Sequence, residues 1–344
     1  MHEPDWPALP PLPTMGVGSY AAPGWFVAAR RLMREGALGA ADVDELMEDA
    51  TRIVVADQIE AGVDVVTDGE LGRQRFVFEM YDRIRGLERI APARRLGVPG
   101  YDMAPHFTAV APLTAPEGLG VVEEYLTLKR LAPGRVLKVA LPGPLTFAAA
   151  VESGERTAPE IVDDMVALVG AELSGLAAAG ADYVQIDEPS LPAPPHGLGL
   201  DEAAALVNRV LTGRPGRRAV HVCFGNNAGR PFADRRLDRL MSAMERLDCD
   251  QLVLEFANRE MAEVELLGRL AARFDVAAGV VDVKSFHLET AEDVARRIRR
   301  CLEHAPVERL AVTADCGFSA LPRGLARAKM QAMVAGARLV RAEL

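Results

Sequence analysis

His221 and Cys223 stand two residues apart in the apolar run Arg218-Ala-Val-His-Val-Cys-Phe-Gly-Asn226. On a β-strand, side chains alternate between faces, so the imidazole and the thiol point the same way. A nitrogen and a sulfur aimed together from a strand end make half of a tetrahedral zinc site. Two other apolar runs end on matching donors: Glu255 closes Leu252-Val-Leu-Glu255, and Cys316 lies in Ala314-Asp-Cys-Gly317. One nitrogen, two sulfurs and one carboxylate oxygen suit zinc, and the thiolates argue against magnesium or calcium. Two thiolates and a carboxylate more than neutralise Zn²⁺. Such a centre is a weak activator of water but suits another thiol, for which the carboxylate is exchangeable. Cys249, before a strand, and Cys301, within a helix, read as core residues.

Donors on separate strands need a frame that gathers strand ends. Eight apolar runs fall at residues 14–20, 64–70, 136–144, 183–189, 218–226, 251–258, 275–282 and 309–318. Helical patterns alternate with them, including 42–62 with Gly62 as C-cap, 121–131, 158–179, 234–246, 260–272, 290–303 and 322–342. Continuous apolar strands suit a parallel sheet buried on both faces. The fold expected is therefore α/β, a (β/α)8 TIM barrel forming a single domain over residues 14–344. A proline-rich extended arm, residues 1–13, precedes it. An irregular excursion, a hairpin or lid, interrupts it at about residues 89–118, and residues 76–86 read as helical. A doubly wound open sheet competes, but no Gly-x-Gly-x-x-Gly follows the first strand. Active sites of such barrels lie at the C-terminal strand ends. Here those ends carry Ser19, Asp68, Glu70, Asp187, Glu188, His221, Cys223, Glu255, Asn258, Asp282, Asp315 and Cys316. The Asp187-Glu188 pair has a plainer reading as a cap on the following loop.

The bulk numbers narrow the partners. The 344 residues are 49% hydrophobic, enough for a large core, with net charge −10. A pI near 5.3 argues against nucleic acid or an anionic membrane as the main partner. No run of about 18 apolar residues is present, which excludes a transmembrane helix. The opening Met-His-Glu-Pro-Asp-Trp-Pro has neither the basic region nor the apolar stretch of a signal peptide. Four cysteines are too few for a disulfide scaffold. A cytoplasmic protein is expected.

Several motifs together resemble the catalytic barrel of cobalamin-independent methionine synthases. They are Val17-Gly-Ser-Tyr20, Asp68-Gly-Glu70, Gln185-Ile-Asp-Glu-Pro189, His221-Val-Cys223, Glu255, Gly279-Val-Val-Asp282 and Asp315-Cys-Gly317, in the family's order. The resemblance implies a TIM barrel whose zinc is held by His221, Cys223, Glu255 and Cys316. It places homocysteine's amino-acid group against Ser19, Glu70 and Asp187. Two carboxylates suit an α-ammonium, and the groups around Ser19 suit a carboxylate. The family's long members carry a second, N-terminal barrel, so this chain is similar to its short, single-barrel members. The family also has a histidine two residues after the Gly-Val-x-Asp aspartate, as proton donor. Here that position is Lys284, with His287 three further on, and either is the candidate for that role. The run Asp68-Gly-Glu-Leu-Gly-Arg73-Gln-Arg75 is characteristic of the short members. Arg73 and Arg75 are read there as contacts to an anionic group, or else as salt bridges to nearby acids.

The activity implied is zinc-dependent methyl transfer to the thiol of L-homocysteine, giving methionine. The donor is left open between methyltetrahydrofolate and a methylated corrinoid protein. Two alternatives remain: alkyl transfer to another thiol, such as coenzyme M with epoxides, and a non-catalytic zinc-binding protein.

Overall fold

The computed structural model describes residues 8–73, 79–91, 105–226, 231 and 233–344. Six parallel strands form a continuous sheet. In spatial order they are Leu310–Ala314, Asp275–Val281, Gln251–Glu255, Arg217–Val222, Tyr183–Asp187 and Val139–Pro142. Val136–Leu137, separated from Val139 only by Lys138, pairs with Val65–Val66. The Lys138 N–H donates to the Val66 carbonyl at 2.9 Å and carries the ladder across the break. Bridges from Met15 to Val65 and from Thr14 to Val312 close the ring. The eight expected strands thus form a closed TIM barrel, though the first has shrunk to a bridge on each side.

Alternation along the strands builds two cores. One set of positions (Met15, Val17, Val65, Val136, Tyr183, Ala219, Val253, Ala277 and Ala311) fills the barrel interior. The intervening positions, such as Ile186, Val220, Val222, Leu252 and Leu254, join the larger core under the helices. Continuing the interior period leads to Gln185 and Asp187, then His221 and Cys223, then Glu255. The strand period thus aims these groups into the barrel mouth.

Most expected helices form, including Ala40–Ala61, Val121–Leu131, Ala158–Ala178, Ala291–Leu302 and Arg323–Arg341. Gly62 caps the first of them in the left-handed region at φ 85°. The excursion contains the antiparallel pair Arg85–Ile90 and His106–Thr114, with Val151–Ser153 added in parallel. Three expectations change. Residues 85–90 are strand rather than the end of a helix, and the rest of the 76–86 reading lies partly outside the described residues. The expected helix at 260–272 is reduced to Leu267–Leu270 after a 3-10 turn. Glu260, Met261 and Glu263 adopt φ of 53°, 63° and 61°, which no α-helix accommodates. The helix expected at 234–246 is likewise only Met241–Glu245 after a 3-10 turn, where the Glu263 carboxylate accepts the Leu237 and Asp238 N–H groups.

Of the N-terminal arm, residues 8–13 are described. Leu12 is buried, and Arg341 donates to the Pro11 and Leu12 carbonyls. No helix among the described residues is long and apolar enough to cross a membrane.

Candidate metal centre and active site

The donor atoms of His221, Cys223 and Cys316 all lie within 4.8 Å of one another. Two come from the fifth strand and the third from the turn after the eighth. Barrel closure therefore supplies the convergence that sequence separation hides. His221 Nδ1 lies 3.1 Å from Asp187 Oδ1. An ionised carboxylate only accepts, so Nδ1 carries the proton and Nε2 presents its lone pair. Burial disfavours charge on His221, but the hydrogen bond to Asp187 and that carboxylate's charge outweigh it and raise its pKa. A hydrogen bond from the Cys223 thiol, supported by the charges of His221 and Lys284, pulls Cys316 down to about 7. That same bond, with burial, raises Cys223 well above the ordinary thiol range.

Three observations test this set against a metal. His221 Nε2 is buried without a hydrogen-bond partner, as is Glu255 Oε1. The sulfurs of Cys223, which is buried, and Cys316, which is partly buried, sit beside that nitrogen. An orphaned imidazole nitrogen between two thiols costs free energy unless something binds it. The set fits a soft divalent ion. Glu255 is not in the three-donor group. Its Oε2 lies 2.6 Å from Lys284 Nζ and 3.4 Å from the Phe224 N–H.

The residues expected to meet the amino-acid group surround this cluster. Glu70 is buried, with φ 56°, a strained backbone for a side chain of this kind. A Cβ at Gly18 would lie 2.1 Å from Glu70 Oε1, so the first loop packs closely on this acid. Burial raises the Glu70 pKa well above its ordinary value against the pull of Arg73, and Asp187 raises it further. Ser19 lies against Gly317, where a Cβ would come within 1.9 Å of its Oγ, so the first loop adjoins the Cys316 turn.

Asp187 and Glu188 divide the two readings between them. Asp187 faces His221. Glu188 accepts from the Leu145 and Thr146 N–H groups and the Thr146 hydroxyl, capping the short helix Pro144–Ala148. Arg73 makes the salt bridge of its plainer reading. Its guanidinium donates to Glu124 at 2.7 Å and the Ala140 carbonyl at 2.6 Å, and lies 3.8 Å from Glu70. Its remaining nitrogen, Nη1, is buried without a hydrogen-bond partner. Arg75 lies outside the described residues. Lys284 is brought to the site, and His287 is exposed on the loop beyond it.

Sequence reasoning missed Lys138 and Lys329. Lys138 is wholly buried inside the barrel, where its Nζ donates to Gln185 Oε1 at 2.6 Å. That bond fixes the Gln185 amide so that Nε2 donates to Asp187 Oδ1 at 2.7 Å and the Val17 carbonyl at 2.9 Å. A lysine inside Val136-Leu-Lys-Val-Ala-Leu141 was the available signal. Asp315 was noted only as a strand-end acid. It accepts the N–H groups of Phe256, Ala257 and Asn258, and so fixes the backbone that follows Glu255.

The family model described as the catalytic domain of cobalamin-independent synthase matches residues 12–339. The chain belongs to this family. It is 32% identical to a methionine synthase of Saccharolobus solfataricus, over 98% of this chain and 97% of that protein. It is 31% identical to a methionine synthase of Sulfurisphaera tokodaii, over 98% and 94%. A solved B12-independent methionine synthase from Shewanella sp. W3-18-1, in complex with selenomethionine, superposes with a TM-score of 0.82. Its identity is 26%, with 97% of this chain and 99% of that chain covered. The protein is accordingly a methyltransferase of the cobalamin-independent methionine synthase type.

Proposed function

We propose that the protein transfers a methyl group to the thiol of L-homocysteine, giving methionine, with zinc held by His221, Cys223, Cys316 and an exchangeable Glu255. The observation that carries this reading is the orphaned His221 Nε2, buried beside two convergent thiols. Bound there, zinc would lower the pKa of an incoming thiol and hold it as thiolate. This chain's residues supply the rest. Asp187 keeps the proton of His221 on Nδ1. Glu70 and Asp187 receive the substrate's α-ammonium, and Ser19 with the neighbouring backbone receives its carboxylate. Held there, the sulfur is aimed at a methyl carbon. Its lone pair forms the S–CH₃ bond as the donor–CH₃ bond breaks, and that bond's electron pair leaves with the donor. Alignment of nucleophile and methyl carbon supplies much of the rate.

A sulfonate-bearing thiol fits less well, because Arg73 is engaged by Glu124 and the site presents two carboxylates. The test is to incubate zinc-loaded protein with L-homocysteine and, separately, methyltetrahydrofolate or methylcobalamin. Methionine formed with either donor, lost in Cys316→Ser, supports the reading and selects the donor class. Turnover of coenzyme M but not homocysteine would replace it.

A further inference from the structure

Glu255 is wholly buried at the end of the sixth strand, yet its carboxylate is held by a lysine. Lys284 Nζ sits 2.6 Å from Glu255 Oε2, with side chains 4% and 0% exposed. Among the described residues, Lys284 has no other acid within ion-pair distance. The other oxygen, Oε1, is buried without a partner. One oxygen is thus bound to a cation while the other is unclaimed.

Both ends of this pair rise from fixed backbone. On the lysine side, Asp282 Oδ1 accepts the Lys284 N–H at 2.7 Å. The Asp282 N–H donates to Glu289 Oε1 at 2.9 Å. The buried ammonium of Lys329 binds Glu289 Oε2 at 2.8 Å, the Asp282 carbonyl at 2.7 Å and the His287 carbonyl. On the carboxylate side, Asp315 pins the three N–H groups that follow Glu255. With both backbones anchored, the freedom left to the pair is rotation of the two side chains.

We infer that Lys284 is a latch for Glu255: it receives the carboxylate when a substrate thiol takes the fourth position on the metal, and competes for it when that position is empty. This rests on the zinc reading of the site. A carboxylate leaving a metal in a buried pocket would become an uncompensated buried charge, costly enough to block exchange. An ammonium within hydrogen-bond reach offsets that cost. Lys284 is thereby a positioning residue acting through Glu255, in place of the proton donor expected at this position.

The test uses full-length protein at pH 8, stripped and reloaded with zinc. Zinc affinity is measured by chelator competition, and ligand exchange by counting sulfur scatterers in zinc X-ray absorption as L-homocysteine is added. Lys284→Met should bind zinc tighter than wild type by about tenfold or more, since Glu255 then has no cation to bind but the metal. It should also need about tenfold more homocysteine to exchange an oxygen for a third sulfur. Lys284→Gln, which keeps a donor but no charge, carries the same expectation if the methionine variant does not fold. Lys284→Arg should stay near wild type in both. Neutral variants with unchanged or weaker zinc binding, or with unchanged exchange, overturn the latch. A wild type that binds no zinc overturns the metal reading itself, and the latch with it.

Discussion

Asp187 governs which nitrogen of His221 is available, because its carboxylate accepts from Nδ1 and leaves Nε2 as the donor to a metal. Groups that orient a ligating histidine tune affinity strongly. Asp187→Ala should weaken zinc binding by about 10- to 100-fold; chelator competition measures this independently of substrate binding. His221 and Cys223 were legible in the sequence because alternation fixes the face of a strand residue whatever the fold around it, and Cys316 because it closely follows the end of another apolar run. Glu255 was legible as a strand-end acid, but its partner was not: nothing in the sequence shows that Lys284 folds back onto it. The role of Arg73 was equally open, since Glu124, its partner, is 51 residues away.

At the scale of elements, the loop after the seventh strand is held by a buried clamp from the last helix. Lys329 falls on that helix's buried face with Ala326, Met330 and Met333. Its ammonium ties together Asp282, His287 and Glu289. Among the described residues, Lys329→Met would leave Glu289 with only the partly exposed Arg297 as cationic partner. The loss should be about 3 kcal/mol of unfolding free energy, read as a lowered urea midpoint. Burial alone would raise the Glu289 pKa, but its bonds from Lys329 and Asp282 hold it below the ordinary value of 4.5. Its stabilising contribution is therefore present above about pH 4.5 and is lost as pH falls through the depressed folded value. Acid unfolding of Glu289→Gln should show a shallower dependence on pH than wild type. Helices with strong periodicity and clear caps were read to within a residue or two, as Val121–Leu131 shows. The segments at 238–245 and 264–270 were not. Their amphipathic pattern is helical, but three left-handed residues without a glycine among them, Glu260, Met261 and Glu263, immediately precede the second, and composition gives no sign of that.

At the scale of the molecule, closure of the barrel places a lysine in its interior. Burial pushes Lys138 down to about 7 from an ordinary value near 10.5, against the attraction of Asp187 and Glu70. Between those values the unfolded chain binds a proton that the folded chain does not, so this group makes stability rise with pH across that window. Lys138→Met should flatten the rise and, by freeing the Gln185 amide, also loosen Asp187 against His221. Thermal unfolding between pH 7 and 10 checks the first effect and zinc affinity the second. Eight runs of buried-strand character made the barrel readable, but the closing bridges at Thr14 and Met15 are too short to carry a sequence signal of their own. The central claim is that the convergent donors hold zinc and activate a thiol. It is tested most directly by metal content of wild type, His221→Ala and Cys316→Ser, with zinc X-ray absorption before and after L-homocysteine. The account predicts about one zinc per chain, lost in both variants, and one added sulfur ligand on exposure to homocysteine. A reduced wild-type protein without metal, or a zinc shell unchanged by homocysteine, would contradict it.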